Sequence, residues 1–224
     1  NFSCYMKYFI ANWKANKNLK EGLLWAKIFI KKFKQQPNIN LSKKIIICPP
    51  YHLLYPLAKM FKNFKNIFLG TQNLSSFDNG SFTGEIAAVM IKDLVQYSII
   101  GHSERRSYFS ETDDQIEKKI TQAKKYGIEP ILCVRDEKDK IFPQVKIVAY
   151  EPTYAIGTGV NESPEKVLSI RKKLKLKPTT IFLYGGSVNE NNARQYLIRE
   201  KINGLLIGNA SLEPLQFIRI INSC

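Results

Sequence analysis

The chain is short of histidine, cysteine and acid, and it has no long apolar run. Two histidines, His52 and His102, are all the imidazole it offers for acid–base chemistry near neutrality. Its four cysteines, Cys4, Cys48, Cys133 and Cys224, are far apart and form no C-x-x-C pair. That spacing argues against a metal site or a disulfide framework and favours a reducing compartment, so a cytoplasmic location is expected. Nowhere do about 18 apolar residues run together, which excludes a membrane-spanning helix. Internal repeats, low-complexity tracts and flexible linkers are also missing. Acidic residues number 19 against 34 lysines and arginines, giving a net charge of +15. Such a balance raises nucleic acid or an anionic membrane as a partner. The lysines, however, are dispersed through every helical segment, and Asn, Ile, Phe and Tyr, which share AT-rich codons with Lys, are abundant too. Composition explains the charge better than a binding patch, so neither nucleic acid nor membrane is expected.

What is present fits one α/β domain over residues 1–224, with 44% hydrophobic residues to fill a core. Met6 to Ile10 reads as the natural start, and Asn1 to Tyr5 as an extension or cloning remnant without signal-peptide architecture. Eight short runs are dense in Ile, Val, Leu and Phe: Tyr8–Asn12, Ile45–Cys48, Ile67–Thr71, Tyr97–Gly101, Ile131–Val134, Ile147–Tyr150, Thr180–Tyr184 and Gly204–Ile207. Strands buried on both faces look like this. Amphipathic stretches separate most of them. Leu23, Ala26, Ile30 and Phe33 share one helical face, Thr112 to Gln115 forms a capping box, and Ser163-Pro164-Glu165 starts a further helix. Alternation of strand and helix, eight times over, predicts a closed (β/α)8 TIM barrel. Only Arg135 to Lys146, with Pro143 inside, separate strands five and six. That is about the minimum for a parallel crossover, so the fifth unit is expected to have a shortened helix or none.

Barrels of this kind keep their chemistry at the carboxyl ends of the strands. Strand one ends Asn12-Trp13-Lys14, and an ammonium there would meet an anion or polarise an oxygen; a solvated lysine is the plainer reading of a bare N-x-K. Strand four ends Gly101-His102-Ser103-Glu104, where backbone N–H groups aimed at the ring would keep His102 neutral and able to donate a hydrogen bond. A half-buried structural histidine is the alternative, and His52 reads as structural. Strand six ends on Glu151, followed by Pro152 and a segment to Gly159 that looks like a hinged flap. A carboxylate at the end of a buried strand is costly unless it is paired or used, and a closing flap would raise its basicity. Strands seven and eight end in the small-residue loops Gly185-Gly186-Ser187 and Gly208-Asn209-Ala210-Ser211. Their backbone N–H groups would suit a phosphate.

In order along the chain stand N-W-K, G-H-S-E-R-R, A-Y-E-P-T-Y-A-I-G-T-G, Y-G-G-S-V and G-N-A-S-L. From Met6 to about Phe217 this pattern resembles the triosephosphate isomerase family. The resemblance implies interconversion of glycerone phosphate and glyceraldehyde 3-phosphate, in glycolysis and gluconeogenesis, without metal or organic cofactor. It implies Glu151 as the base, His102 as the neutral group that polarises the carbonyl, and Lys14 as the positive charge. Asn12 would orient the substrate and Lys14, Glu104 would stand near Lys14, and Ser103 would touch the resting base. Gly157, Ser187, Gly208 and Asn209 would offer N–H groups to the phosphate, and Pro152 to Thr158 would close over it. The segment 72–85 resembles the family's long third loop, which implies a homodimer. The chain departs from the family's pattern at Ala11, Thr153, Tyr154, Arg135, Asp136 and Asn209. Two rivals remain open at this stage: a basic barrel with degraded catalysis that binds RNA, and another phosphosugar-binding barrel with different chemistry.

Overall fold

Eight parallel strands close on themselves in the order β1 to β8 in the computed structural model, which describes residues 6–36, 42–155 and 161–223. The suggested extension at residues 1–5 lies outside the described residues. The strands are β1 Lys7–Asn12, β2 Lys43–Cys48, β3 Ile67–Thr71, β4 Tyr97–Ile100, β5 Glu129–Val134, β6 Ile147–Tyr150, β7 Ile181–Tyr184 and β8 Gly204–Ile207. Each begins within two residues of the apolar run that predicts it, because those runs are buried on both faces. One cluster contains strand residues alone, including Ile10, Ile46, Ile99, Ile131 and Leu183, and fills the barrel. The alternate residues, such as Phe9, Ile45, Leu132 and Phe182, pack outward against helices. Closure depends on β1 pairing with β8 in the register Tyr8↔Gly204. Gly204 is needed there, since a Cβ would lie 2.0 Å from the Tyr8 carbonyl oxygen.

The helices are α1 Leu19–Phe33, α2 Leu54–Phe61, α3 Ala88–Ile91, α4 Ser103–Tyr108, α5 Asp113–Lys125, α6 Pro164–Lys173, α7 Ala193–Leu197 and α8 Pro214–Ile221. The Thr112–Gln115 capping box and the Ser163 cap with Pro164 form as the sequence predicts. The buried face of α1 is rotated from the expected one. Trp25 and Phe29 lie at its centre, with Ala26 and Phe33, whereas Leu23 and Ile30 are only half-buried. The aromatic rings cause this: Trp25 stacks on Phe29 and meets Trp13 edge-on, both at 4.8 Å, and Phe217 of α8 joins them. Asn189 does not cap α7. Its Oδ1 accepts the N–H groups of Asn191 and Asn192 in a preceding turn, and the helix begins at Ala193.

No helix forms between β5 and β6. Phe142, 1% exposed, and Val145 fill the outer core in its place. The connection is tied down at three points. Asp139 accepts the Arg135 backbone N–H and receives its guanidinium, Lys140 pairs with Glu117 on α5, and Glu137 pairs with Lys173 on α6. Twelve residues thus cross the barrel by substituting one buried ring for an amphipathic helix.

Candidate active site

Because all eight strands run the same way, their carboxyl ends meet at one mouth. A cavity of about 370 Å³ opens there, lined by Asn12, Lys14, His102, Glu151, Ser187, Gly208 and Asn209 among others. The mouth therefore gathers residues from strands one, four, six, seven and eight.

Glu151 is 2% exposed. Its backbone N–H extends the β5–β6 ladder by bonding the Val134 carbonyl at 2.8 Å, which fixes where the side chain starts. One carboxylate oxygen lies 2.9 Å from His102 Nε2, and the other accepts the Ser103 backbone N–H at 3.2 Å. The Cys133 thiol, directly opposite Ala149 across the β5–β6 ladder, also donates to the carboxylate. Gly185 lies against it, since a Cβ there would approach Glu151 Cγ to 2.9 Å. Burial pushes the carboxyl pKa up, and the imidazole with these donors pulls it down further, so the net shift is below the ordinary value. Burial drives the Cys133 thiol far the other way, and the adjacent carboxylate adds to this.

His102 caps the first turn of α4, with its Nδ1 accepting the Glu104 backbone N–H at 3.2 Å. A nitrogen that accepts cannot also carry a proton, so this contact places the ring's single proton on Nε2, facing Glu151. Burial disfavours the imidazolium, while Glu151 and, more weakly, Glu104 favour it. The balance raises the imidazole's pKa from its ordinary value. The Glu104 N–H opposes that rise, because protonating Nδ1 would bring two hydrogens face to face.

Lys14 occupies the left-handed region at φ 53°. Two bonds hold its backbone in this strained shape: its N–H donates to Asn12 Oδ1 at 3.1 Å, and its carbonyl accepts from Gln72 Nε2 at 2.9 Å. Its ammonium pairs with Glu104 at 2.5 Å. Gly208 passes close by, with a Cβ there falling 3.4 Å from Lys14 Cε. The next residue, Asn209, opens the 3-10 turn Asn209–Ser211 and keeps an ordinary negative φ, so its Cβ brings no strain. The Ser187 carbonyl accepts from Asn192 Nδ2 at 3.0 Å, which holds the strand-seven loop in place.

Nearly every residue singled out in the sequence therefore reaches one mouth. Gly157 lies in 156–160, outside the described residues. Ser103 touches Glu151 through its backbone N–H, and its buried hydroxyl has no partner among the described residues. His52 is exposed in the turn Tyr51–Leu53 and does not line the cavity. Gln72 and Cys133 were not singled out for the site. A cysteine on the penultimate, inward-facing position of β5 was a usable signal, since the next strand ends on the reactive acid.

The sequence profile of the triosephosphate isomerase family matches residues 7–224. This chain belongs to the triosephosphate isomerase family. It is 39% identical to the triosephosphate isomerase of Aquifex aeolicus over 95% of this chain and 97% of that protein. It is 39% identical to that of Dictyoglomus turgidum over 97% and 99%, and 41% identical to that of Buchnera aphidicola over 96% of each. These alignments span 245 to 251 positions against 224 residues here, so the relatives carry segments that this chain lacks. Family membership makes the chain an isomerase of the glycolytic triose phosphates, interconverting glycerone phosphate and glyceraldehyde 3-phosphate.

Proposed function

We propose that Glu151 is the base of this isomerisation, with His102 as its neutral electrophile and Lys14 as its fixed positive charge. The observation that carries the reading is the facing pair: a buried carboxylate and an imidazole Nε2–H at 2.9 Å, the ring's other nitrogen held by backbone. A substrate entering between them meets a proton acceptor on one side and a proton donor on the other. Glu151 removes a proton from the carbon beside the carbonyl and returns it to the neighbouring carbon. His102 donates its Nε2–H to the oxygen that gains charge, and Lys14 stabilises the same charge from the strand-one side. Asn12 orients Lys14 through its backbone. Glu104 serves twice, pairing with the ammonium through its carboxylate and setting the His102 tautomer through its N–H.

The N–H groups of Ser187, Gly208 and Asn209, with Gly157, receive the phosphate. A flap at 152–158, of which 156–158 lie outside the described residues, is part of the same proposal: covering the phosphate would exclude water and protect an enediolate phosphate from elimination. The enzyme acts as a homodimer through 72–85. In support, Phe77 and Phe82 stack at 4.2 Å yet are 47% and 41% exposed, and Tyr108 and Phe109 of the α4 region are 79% and 67% exposed. Apolar surface of this kind marks a contact site. Lys119 bonds Asn73, and Lys125 and Tyr126 bond Asp78, which anchors the loop's base to the end of α5. Gln72 links the same loop to the Lys14 carbonyl, coupling the dimer surface to the catalytic lysine. The cytoplasm is the proposed compartment; no helix among the described residues is long and apolar enough to cross a membrane.

A coupled isomerase assay with phosphoglycolate, a planar mimic of the enediolate, tests this. Proton abstraction beside a carbonyl requires the mimic to bind at least 10²-fold more tightly than inorganic phosphate, as transition-state analogues do. Equal binding of the two anions would remove the mechanism and leave only a phosphate site.

A further inference from the structure

We propose that the Asn209 side chain is a substrate-binding group in its own right, its carboxamide donating a hydrogen bond to a peripheral oxygen of the phosphate ester. The inference rests on the phosphate-cradle reading above and goes beyond it, because it assigns a side chain to a task otherwise left to backbone.

At the cavity mouth, most polar side chains are already engaged. The Lys14 ammonium is held by Glu104, and Asn12 Oδ1 by the Lys14 N–H. Gln216 Nε2 donates to Glu190 at 2.6 Å, and Asn189 Oδ1 accepts two backbone N–H groups. Asn209 differs. It lines the same cavity and is exposed, and its carboxamide has no hydrogen-bond partner among the described residues. Its backbone is unstrained, so the side chain is not there to stabilise a left-handed turn.

Position gives this free group its task. The neighbouring Gly208 brings the backbone to the Lys14 side chain. An anion seated on the Gly208–Asn209 segment would lie beside the Lys14 side chain, in the cavity that Asn209 also lines. A phosphate monoester dianion presents three peripheral oxygens that only accept hydrogen bonds, and a carboxamide NH2 supplies two donors. Bonds to a charged acceptor are the stronger kind. The phosphate lies away from the reacting carbons, and binding energy from such remote groups is spent on reaching the transition state as well as on holding the substrate, so the contact is read in kcat/KM.

The test compares wild type with Asn209→Ala, Asn209→Gly and Asn209→Asp, each confirmed folded by its thermal melt. Measured are kcat and KM for glyceraldehyde 3-phosphate, and Ki for phosphoglycolate. Loss of the donor in the Ala and Gly variants is expected to raise Ki for phosphoglycolate and the ratio KM/kcat together by about threefold to tenfold. The Asp variant, which sets a carboxylate against the phosphate, is expected to raise both further. Ala and Gly variants that bind phosphoglycolate as tightly as wild type, or that keep the wild-type kcat/KM, would overturn the proposal. Failure of the wild type itself to bind phosphoglycolate would instead strike the cradle reading, so the two failures are separable.

Discussion

Replacing Phe142 with alanine should be among the most damaging single changes to the barrel while leaving its chemistry alone. Phe142 is 1% exposed and sits in the outer core where a fifth helix would otherwise pack. The connection around it is held by ion pairs, of which Lys140–Glu117 and Lys173–Glu137 lie at the surface, where solvent screens them. The buried ring is the main apolar contribution of this connection, beside the Arg135–Asp139 pair. Truncating a buried Phe to Ala costs about 3–5 kcal/mol, from lost transfer energy and the cavity left behind. Here the middle of that range applies, because Ile141, half-buried against the same core, and the buried Val145 can collapse part of the way into the space. Urea unfolding followed by circular dichroism reads the loss, and Phe142→Leu should recover more than half of it. Since Phe142 does not line the cavity, the folded variant should keep kcat within about twofold. A loss below about 1 kcal/mol would refute the argument, showing that the ring merely covers a gap already closed by α5 and α6.

Three further outcomes follow from the same geometry. Gly204→Ala places a methyl 2.0 Å from the Tyr8 carbonyl oxygen at the closing seam, so it should yield little or no soluble folded protein, measured by expression and melting. Glu111→Gln leaves Lys119 and Arg105 without their shared buried carboxylate, and unfolding should show a loss of about 3 kcal/mol. Wild-type stability should also be pH-dependent through this group: burial raises the Glu111 pKa, but Lys119 and Arg105 lower it more, to below its ordinary 4.5. The stabilisation is thus complete above pH 4.5 and is lost as pH falls through the depressed folded value, and Glu111→Gln should flatten that acid limb. Burial lowers the Lys119 pKa as well, so the pair as a whole stabilises less than the carboxylate shift alone suggests.

The strands and most of the site could be read from the sequence, for a physical reason. Runs such as Ile45–Cys48 are buried on both faces, so their apolar character is continuous and their ends are sharp. Glu151 and His102 stood out because a charged or ionisable group ending such a run needs a purpose. What stayed hidden depends on partners distant in sequence. Gln72 reaches Lys14 across 58 residues, and Cys133 meets Glu151 only once β5 and β6 pair in register. Phe142 was invisible as a core residue because an isolated ring in a loop has no periodicity to announce it. The α1 face was misjudged since aromatic stacking between Trp25 and Phe29, rather than aliphatic spacing, sets its rotation.

The most direct test of the whole account follows the proton. Glycerone phosphate is incubated with enzyme in D2O, and deuterium entering the carbon beside the carbonyl is followed by NMR for wild type and Glu151→Gln. With Glu151 as the acceptor, wild type should place deuterium at that carbon while it turns over, and the variant should do so at least about 10²-fold more slowly with its fold intact. Exchange in the variant at the wild-type rate would show that another group moves the proton.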